Sequence, residues 1–199
     1  KIQYEKKRES GIAGAIAELN GGRFFRVHKL PFKFVVPSGE QQSDYDIEFT
    51  RTDGLTGYCE TKCKLRATEL SESTIVNSLK SAKSQLPKAE TTGLILLATP
   101  HEWIRADFAG LKLIADGIQK FFAKEKTRRV AAVCVFQDDL TLHHSYLIQY
   151  YTNPHSPVAL GLPSIDSDPM TVLQTCGWHD LADSISAAAP YRSNKFSHR

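Results

Sequence analysis

Ser43-Asp44-Tyr45-Asp46-Ile47-Glu48-Phe49-Thr50, followed by Gly57-Tyr58-Cys59-Glu60-Thr61-Lys62-Cys63-Lys64, is the stretch that decides how this chain folds. Asp46 to Thr50 alternates polar and apolar residues, the period of a half-buried strand. Gly57 to Lys62 is rich in aromatic and β-branched residues, which favour strands. The segment between them contains Asp53-Gly54, a strong hairpin turn signal. A hairpin folds the second strand back beside the first, so Asp46 and Glu60 can meet although they are 14 positions apart. Residues two apart on a strand share a face. Glu60 and Lys62 therefore project together, and Cys59, Thr61 and Cys63 project to the other side.

Two carboxylates a few ångströms apart repel each other unless a cation sits between them. Such a pair of hard oxygen ligands suits Mg²⁺, which takes one or two carboxylates and keeps several waters. A bound metal lowers the pKa of its water and polarises a phosphoryl oxygen. An ammonium beside it, here Lys62, can hold the attacking water or stabilise developing charge. Asp46, Glu60 and Lys62 are thus candidate catalytic residues for phosphodiester cleavage, weighed against a surface hairpin carrying cross-strand salt bridges. Glu48 shares a strand face with Asp46 and is a candidate supporting or additional ligand. Asp44 would replace Asp46 if the register differed.

Asp46 followed by Glu60-Thr61-Lys62 on the return strand resembles the PD-(D/E)xK nuclease superfamily, which includes Holliday-junction resolvases and many restriction enzymes. Tyr45 stands where the namesake proline would be, and Thr61 where a branched apolar residue is commoner. The resemblance covers roughly residues 1 to 100 and implies a restriction-endonuclease-like α/β sandwich, a central mixed β-sheet flanked by helices. It implies Asp46 and Glu60 as metal ligands, Lys62 as the catalytic lysine, and Mg²⁺ as the cofactor with Mn²⁺ as substitute. It also implies an acid on the opening helix. Tyr4 to Leu19 reads as that helix, ended by Asn20-Gly21-Gly22. Glu9 is favoured over Glu18 as the third metal ligand. A supporting Gln is expected on the helix after the triplet, and Gln85 is the candidate.

That helix spans Ser71 to Leu86, with Ser71 and Ser73 as candidate caps and Pro87 as its stop. Thr92 to Pro100 is a short continuous apolar run, as a strand buried on both faces reads. Phe24 to Val36 is expected to be the first strand, bent and on a sheet edge because of Pro31 and Pro37. His101 to Lys126 reads as helix, with Gly110 and Gly117 as candidate breaks, and Arg129 to Gln137 and Ser145 to Thr152 as strands. Residues 1–152 are expected to form the nuclease-like core. Residues 153–199, interrupted by five prolines, are expected to form an appendage that shapes access, mediates a homodimer or covers apolar surface.

The 199 residues carry 25 Lys and Arg against 22 Asp and Glu, a net charge of +3 that permits nucleic-acid binding without arguing for it. Local clusters matter more. Lys62, Lys64 and Arg66 adjoin the proposed site, and Lys64 and Arg66 are candidate contacts to nucleic acid, with DNA the expected partner. Lys6 to Arg8 and Lys124 to Arg129 read as solvated helix faces. The four cysteines make no disulfide framework or zinc motif, so they read as buried thiols in a reducing, cytoplasmic setting. The separated histidines read as surface or capping residues. No apolar run is long enough for a membrane helix, and no P-loop, nucleophile elbow or dinucleotide fingerprint is present. The chain opens on Lys1, so it is expected to be part of a longer, trimmed or processed product. The expected function is a Mg²⁺-dependent endonuclease. The alternatives are a catalytically inactive module of the same fold that binds nucleic acid or protein, and a toxin-type nuclease domain of a larger protein.

Overall fold

In the computed structural model, residues 2–36, 38–39, 44–88, 92–103, 109–124, 127–139 and 144–157 are described. They run α1 (Ile2–Val27), β1 (Phe32–Phe34), β2 (Ile47–Thr50), β3 (Thr56–Cys63), α2 (Glu72–Gln85), β4 (Thr92–Pro100), a 3₁₀ turn (His101–Trp103), α3 (Ala109–Phe122), β5 (Val130–Asp139) and β6 (His144–Thr152). The six strands form one mixed sheet in the order β1-β2-β3-β4-β5-β6. β1, β2 and β3 pair antiparallel, β3, β4 and β5 parallel, and β6 antiparallel to β5. The two parallel pairs need long crossovers, which α2 and α3 supply.

Both faces of the sheet are covered. On one, Phe24 and Phe25 of α1 pack with Ile47, Phe49, Cys59, Leu94, Leu96 and Cys134. On the other, α2 and α3 place Ile75, Leu79, Ile114 and Ile118 against Ile95, Leu97, Val133 and Val135. Every residue of β4 is buried, which explains its unbroken apolar run. The Asp53-Gly54 turn forms as expected, with Gly54 at φ 81° and the Arg51 amide donating to the Leu55 carbonyl at 2.8 Å. Ser71 caps α2 by accepting from the Thr74 amide at 3.1 Å.

The first helix departs from expectation. It does not stop at Asn20-Gly21-Gly22 but continues to Val27, so Phe24 to Val27 are helical and the first strand shrinks to Phe32–Phe34. The glycines are buried points of close approach. A Cβ on Gly21 would lie 3.0 Å from both Ile47 Cδ1 and Leu96 Cδ1, and one on Gly22 would lie 2.5 Å from Phe34 Cζ. A glycine inside a helix costs about 1 kcal/mol relative to alanine. Here it lets the helix backbone settle onto the sheet and deliver Phe25 to within 4.6 Å of the Phe49 ring centre. The helix ends instead at Lys29, whose φ of 55° is left-handed. The Leu30 amide reaches back to the Phe25 carbonyl at 3.0 Å and the Lys29 amide to that of Arg26 at 3.1 Å, a Schellman stop.

Other expectations are refined. The helix read from His101 to Lys126 is a 3₁₀ turn and α3, with residues 104–108 outside the described set. β1 is an edge strand, as its flanking prolines predict. Arg129 does not belong to a solvated helix face. Its Nη1 donates to the Pro87 carbonyl at 3.2 Å and its Nη2 to that of Lys83, closing the C-terminal end of α2. Asn153 is buried and donates to the Val130 carbonyl at 2.8 Å and the Thr127 carbonyl at 3.1 Å. Residues 158–199, with most of the expected appendage, Cys176 and His179, lie outside the described residues. Among the described residues no helix is long and apolar enough to cross a membrane.

Candidate active site

β2 and β3 pair regularly from Ile47↔Cys59 outward to the turn. Asp46 lies one residue before β2, where this ladder opens. Its amide donates to the Cys59 carbonyl at 3.1 Å, and its carboxylate Oδ2 accepts the Thr61 amide at 2.6 Å. Backbone and side chain of Asp46 thus straddle Glu60. This use of a carboxylate in place of a ladder carbonyl brings the two acids into each other's field. Lys62 follows Glu60 by two residues on the same strand face, and its ammonium pairs with Glu60 Oε1.

The electrostatics carry the imprint of an acid cluster. Glu60 is buried, and burial pushes its carboxyl up to about 7; repulsion from Asp46 adds to this and the Lys62 ammonium opposes it. Burial also raises Asp46, opposed by the Thr61 amide and by Lys62. Glu18, exposed on α1, is raised by partial desolvation and then by the charge of Asp46. All three acids hold their protons more tightly than usual, and the Lys62 charge opposes each shift.

The oxygens fit a hard cation. Glu60 Oε2 is buried and has no hydrogen-bond partner, while Oε1 is held by Lys62. An unpartnered buried carboxylate oxygen is costly unless something positive meets it. Among the described residues no three His, Cys, Asp or Glu side chains form a ready-made cage. Two carboxylates are nonetheless a donor set that Mg²⁺ accepts while keeping waters.

Not every expected residue joins the cluster. The side chain of Glu9 lies outside the described residues. Glu18, the acid placed second on sequence grounds, feels the charges of Asp46 and Lys62 and acts on Glu60. The two are nine residues apart, about 13 Å along a helix. A clue was present: Glu18 lies three residues before Gly21 and so shares its helix face, the one that presses on the sheet. Glu48 is held elsewhere. Its Oε1 pairs with Lys33 Nζ at 2.8 Å and its Oε2 accepts from the Tyr45 hydroxyl at 3.3 Å. Asp44 Oδ1 staples its own loop, accepting from the Ser38 amide at 2.6 Å and the Ser38 hydroxyl at 2.8 Å.

Gln85 is the last residue of α2, next to Leu86, which packs where β4 begins at Gly93. Gly93 pairs with Tyr58, whereas Lys62 pairs with Leu97, so Gln85 sits toward the opposite end of β3 from Lys62. Lys64 is half-buried at the exit of β3, its amide donating to the Ala98 carbonyl at 2.9 Å, and burial lowers its pKa. Arg66 is exposed and pairs with Glu102 at 3.3 Å. Cys59 and Cys134 are buried thiols, as expected, whereas Cys63, at the end of β3, is only partly buried. His28, read as a surface or capping residue, is half-buried: its ring packs tilted on Phe24 with ring centres 4.5 Å apart, and burial lowers its pKa. Comparison with protein-family models, curated proteins and solved structures gives no match.

Proposed function

We propose that this protein is a Mg²⁺-dependent nuclease, with Mn²⁺ as substitute, that hydrolyses phosphodiester bonds in DNA on a restriction-endonuclease-like sandwich. The observation that carries the reading is Glu60, a buried carboxylate with one oxygen on Lys62, the other unpartnered, and Asp46 alongside. Asp46 and Glu60 would hold the cation, with Glu18 as the acid of α1. When bound, Mg²⁺ would polarise a phosphoryl oxygen and acidify a water.

The protein's own groups supply the rest. The Thr61 amide fixes the Asp46 carboxylate and favours its ionised form. Glu60 must lose its proton to act as a ligand, and the Lys62 ammonium favours that loss. The same ammonium, partly solvent-facing, would orient the attacking water or meet charge developing on the phosphate. Lys64 is the nearer candidate for a phosphate contact, because Arg66 already has Glu102 as a partner.

The test is cleavage of supercoiled and linear plasmid, single-stranded DNA and RNA, with Mg²⁺ and with EDTA. Wild type is expected to cut DNA only with the metal, and Glu60→Gln and Asp46→Asn to be inactive while folded. Cleavage by both variants at the wild-type rate would reject the site. Absence of any metal-dependent cleavage by the wild type, with nucleic-acid binding intact, would favour the inactive binding module.

A further inference from the structure

The residue between Glu60 and Lys62 has an unexplained side chain. Thr61 is buried, only 9% exposed, and its hydroxyl oxygen has no hydrogen-bond partner. It lies on the α1 side of β3, where a Cβ on Gly21 would come within 3.3 Å of Thr61 Oγ1. The helix backbone therefore closes over it. A valine would fill the same space without leaving a buried hydroxyl unsatisfied, which costs free energy. The hydroxyl nevertheless stands near one charged group. It favours the ionised form of the Asp46 carboxylate, although it falls short of a hydrogen bond to it. The Thr61 amide already donates to that carboxylate at 2.6 Å.

We propose that the Thr61 hydroxyl is a positioning group for Asp46: with the Thr61 amide it forms a two-donor cradle that aims the carboxylate at the cation. This rests on Asp46 and Glu60 being cation ligands. A hydroxyl bond to the Asp46 carboxylate would satisfy the orphaned oxygen and fix the carboxylate by a second donor. Outer partners of this kind orient ligating carboxylates, and their loss typically weakens metal affinity by about 10- to 100-fold. In this role Thr61 acts only through Asp46.

The experiment compares wild type, Thr61→Val and Thr61→Ser. The probe is Mn²⁺ alone, its dissociation constant read by titration with electron paramagnetic resonance. Urea unfolding in EDTA is measured beside it. Thr61→Val is expected to bind Mn²⁺ about tenfold more weakly, with metal-free stability equal to wild type or higher, and Thr61→Ser to recover most of the affinity. A filler role predicts the opposite split, a change in stability with no change in affinity. Thr61→Val with wild-type Mn²⁺ affinity would overturn the proposal and leave the cation site standing. A wild type that binds no Mn²⁺ would overturn both.

Discussion

A single carboxyl group, that of Glu60, ties the chemistry to the stability of the protein. Its pKa is about 7 when folded against an ordinary value of 4.5. The folded state therefore keeps a proton that the unfolded chain releases. Metal-free stability should fall as pH rises from about 4.5 to about 7, and level off above that. Glu60→Gln removes the effect. In EDTA at pH 8 it should be more stable than wild type by roughly 1–3 kcal/mol, with the gap closing by pH 5. Urea unfolding at the two pH values measures this, and a pH-independent gap would show that Glu60 is not the titrating group. Lys62 and Lys64 should separate in the same spirit. Lys62→Ala should slow single-turnover cleavage in Mg²⁺ by about 10²-fold or more, with little change in DNA binding measured in Ca²⁺. Lys64→Ala should weaken binding and flatten its salt dependence by about one unit of slope.

Among the elements, three positions test how the helices begin, end and pack. Gly11 is exposed with nothing within 4 Å of an added Cβ, so Gly11→Ala should stabilise by about 0.5–1 kcal/mol. Lys29 occupies a left-handed position, and Lys29→Gly should gain up to about 1 kcal/mol by relieving it. Gly117 of α3 should behave oppositely. A Cβ there would lie 2.8 Å from Ile75 Cβ and 3.3 Å from the Glu72 carbonyl, so Gly117→Ala should cost about 1–3 kcal/mol and force α2 and α3 apart. Thermal unfolding of the three variants checks all of them.

These same positions show what could be read in advance. The hairpin, α2 with its Ser71 cap, and the buried β4 follow from local signals that agree with their tertiary roles, and so were readable. Gly21 and Gly22 looked like a helix stop, because a stop and a close approach use the same residue for different reasons. The actual stop, Lys29, carries no glycine to announce it. A helix ending at Leu19 gives no account of how Phe24 and Phe25 reach the core, which the continuation to Val27 supplies. That Asp46, Glu60 and Lys62 come together was readable from spacing on two strands. Glu18 was an alternative to Glu9, but its nearness to Asp46 and Lys62, like the burial of the Thr61 hydroxyl, depends on where α1 crosses the sheet.

For the molecule as a whole, cation binding should couple to folding. A ligand that binds only the native state stabilises by about 1.4 kcal/mol at ten times its dissociation constant. Mg²⁺ should therefore raise the melting temperature of wild type in a concentration-dependent way and leave Glu60→Gln unmoved. Differential scanning calorimetry at several Mg²⁺ concentrations distinguishes this from general salt effects, for which matched NaCl is the control. The strand order has a further consequence. Each strand lies beside the one before it in the chain, so no later strand must be threaded between two earlier ones. A chain emerging from the ribosome can add strands in the order in which they are made. The hairpin carrying Asp46 and Glu60 emerges early, but Ile95, which flanks Glu60 in the sheet, is synthesised later. On a nascent chain Glu60 is therefore solvated, and it becomes a reluctant acid only when translation has delivered β4.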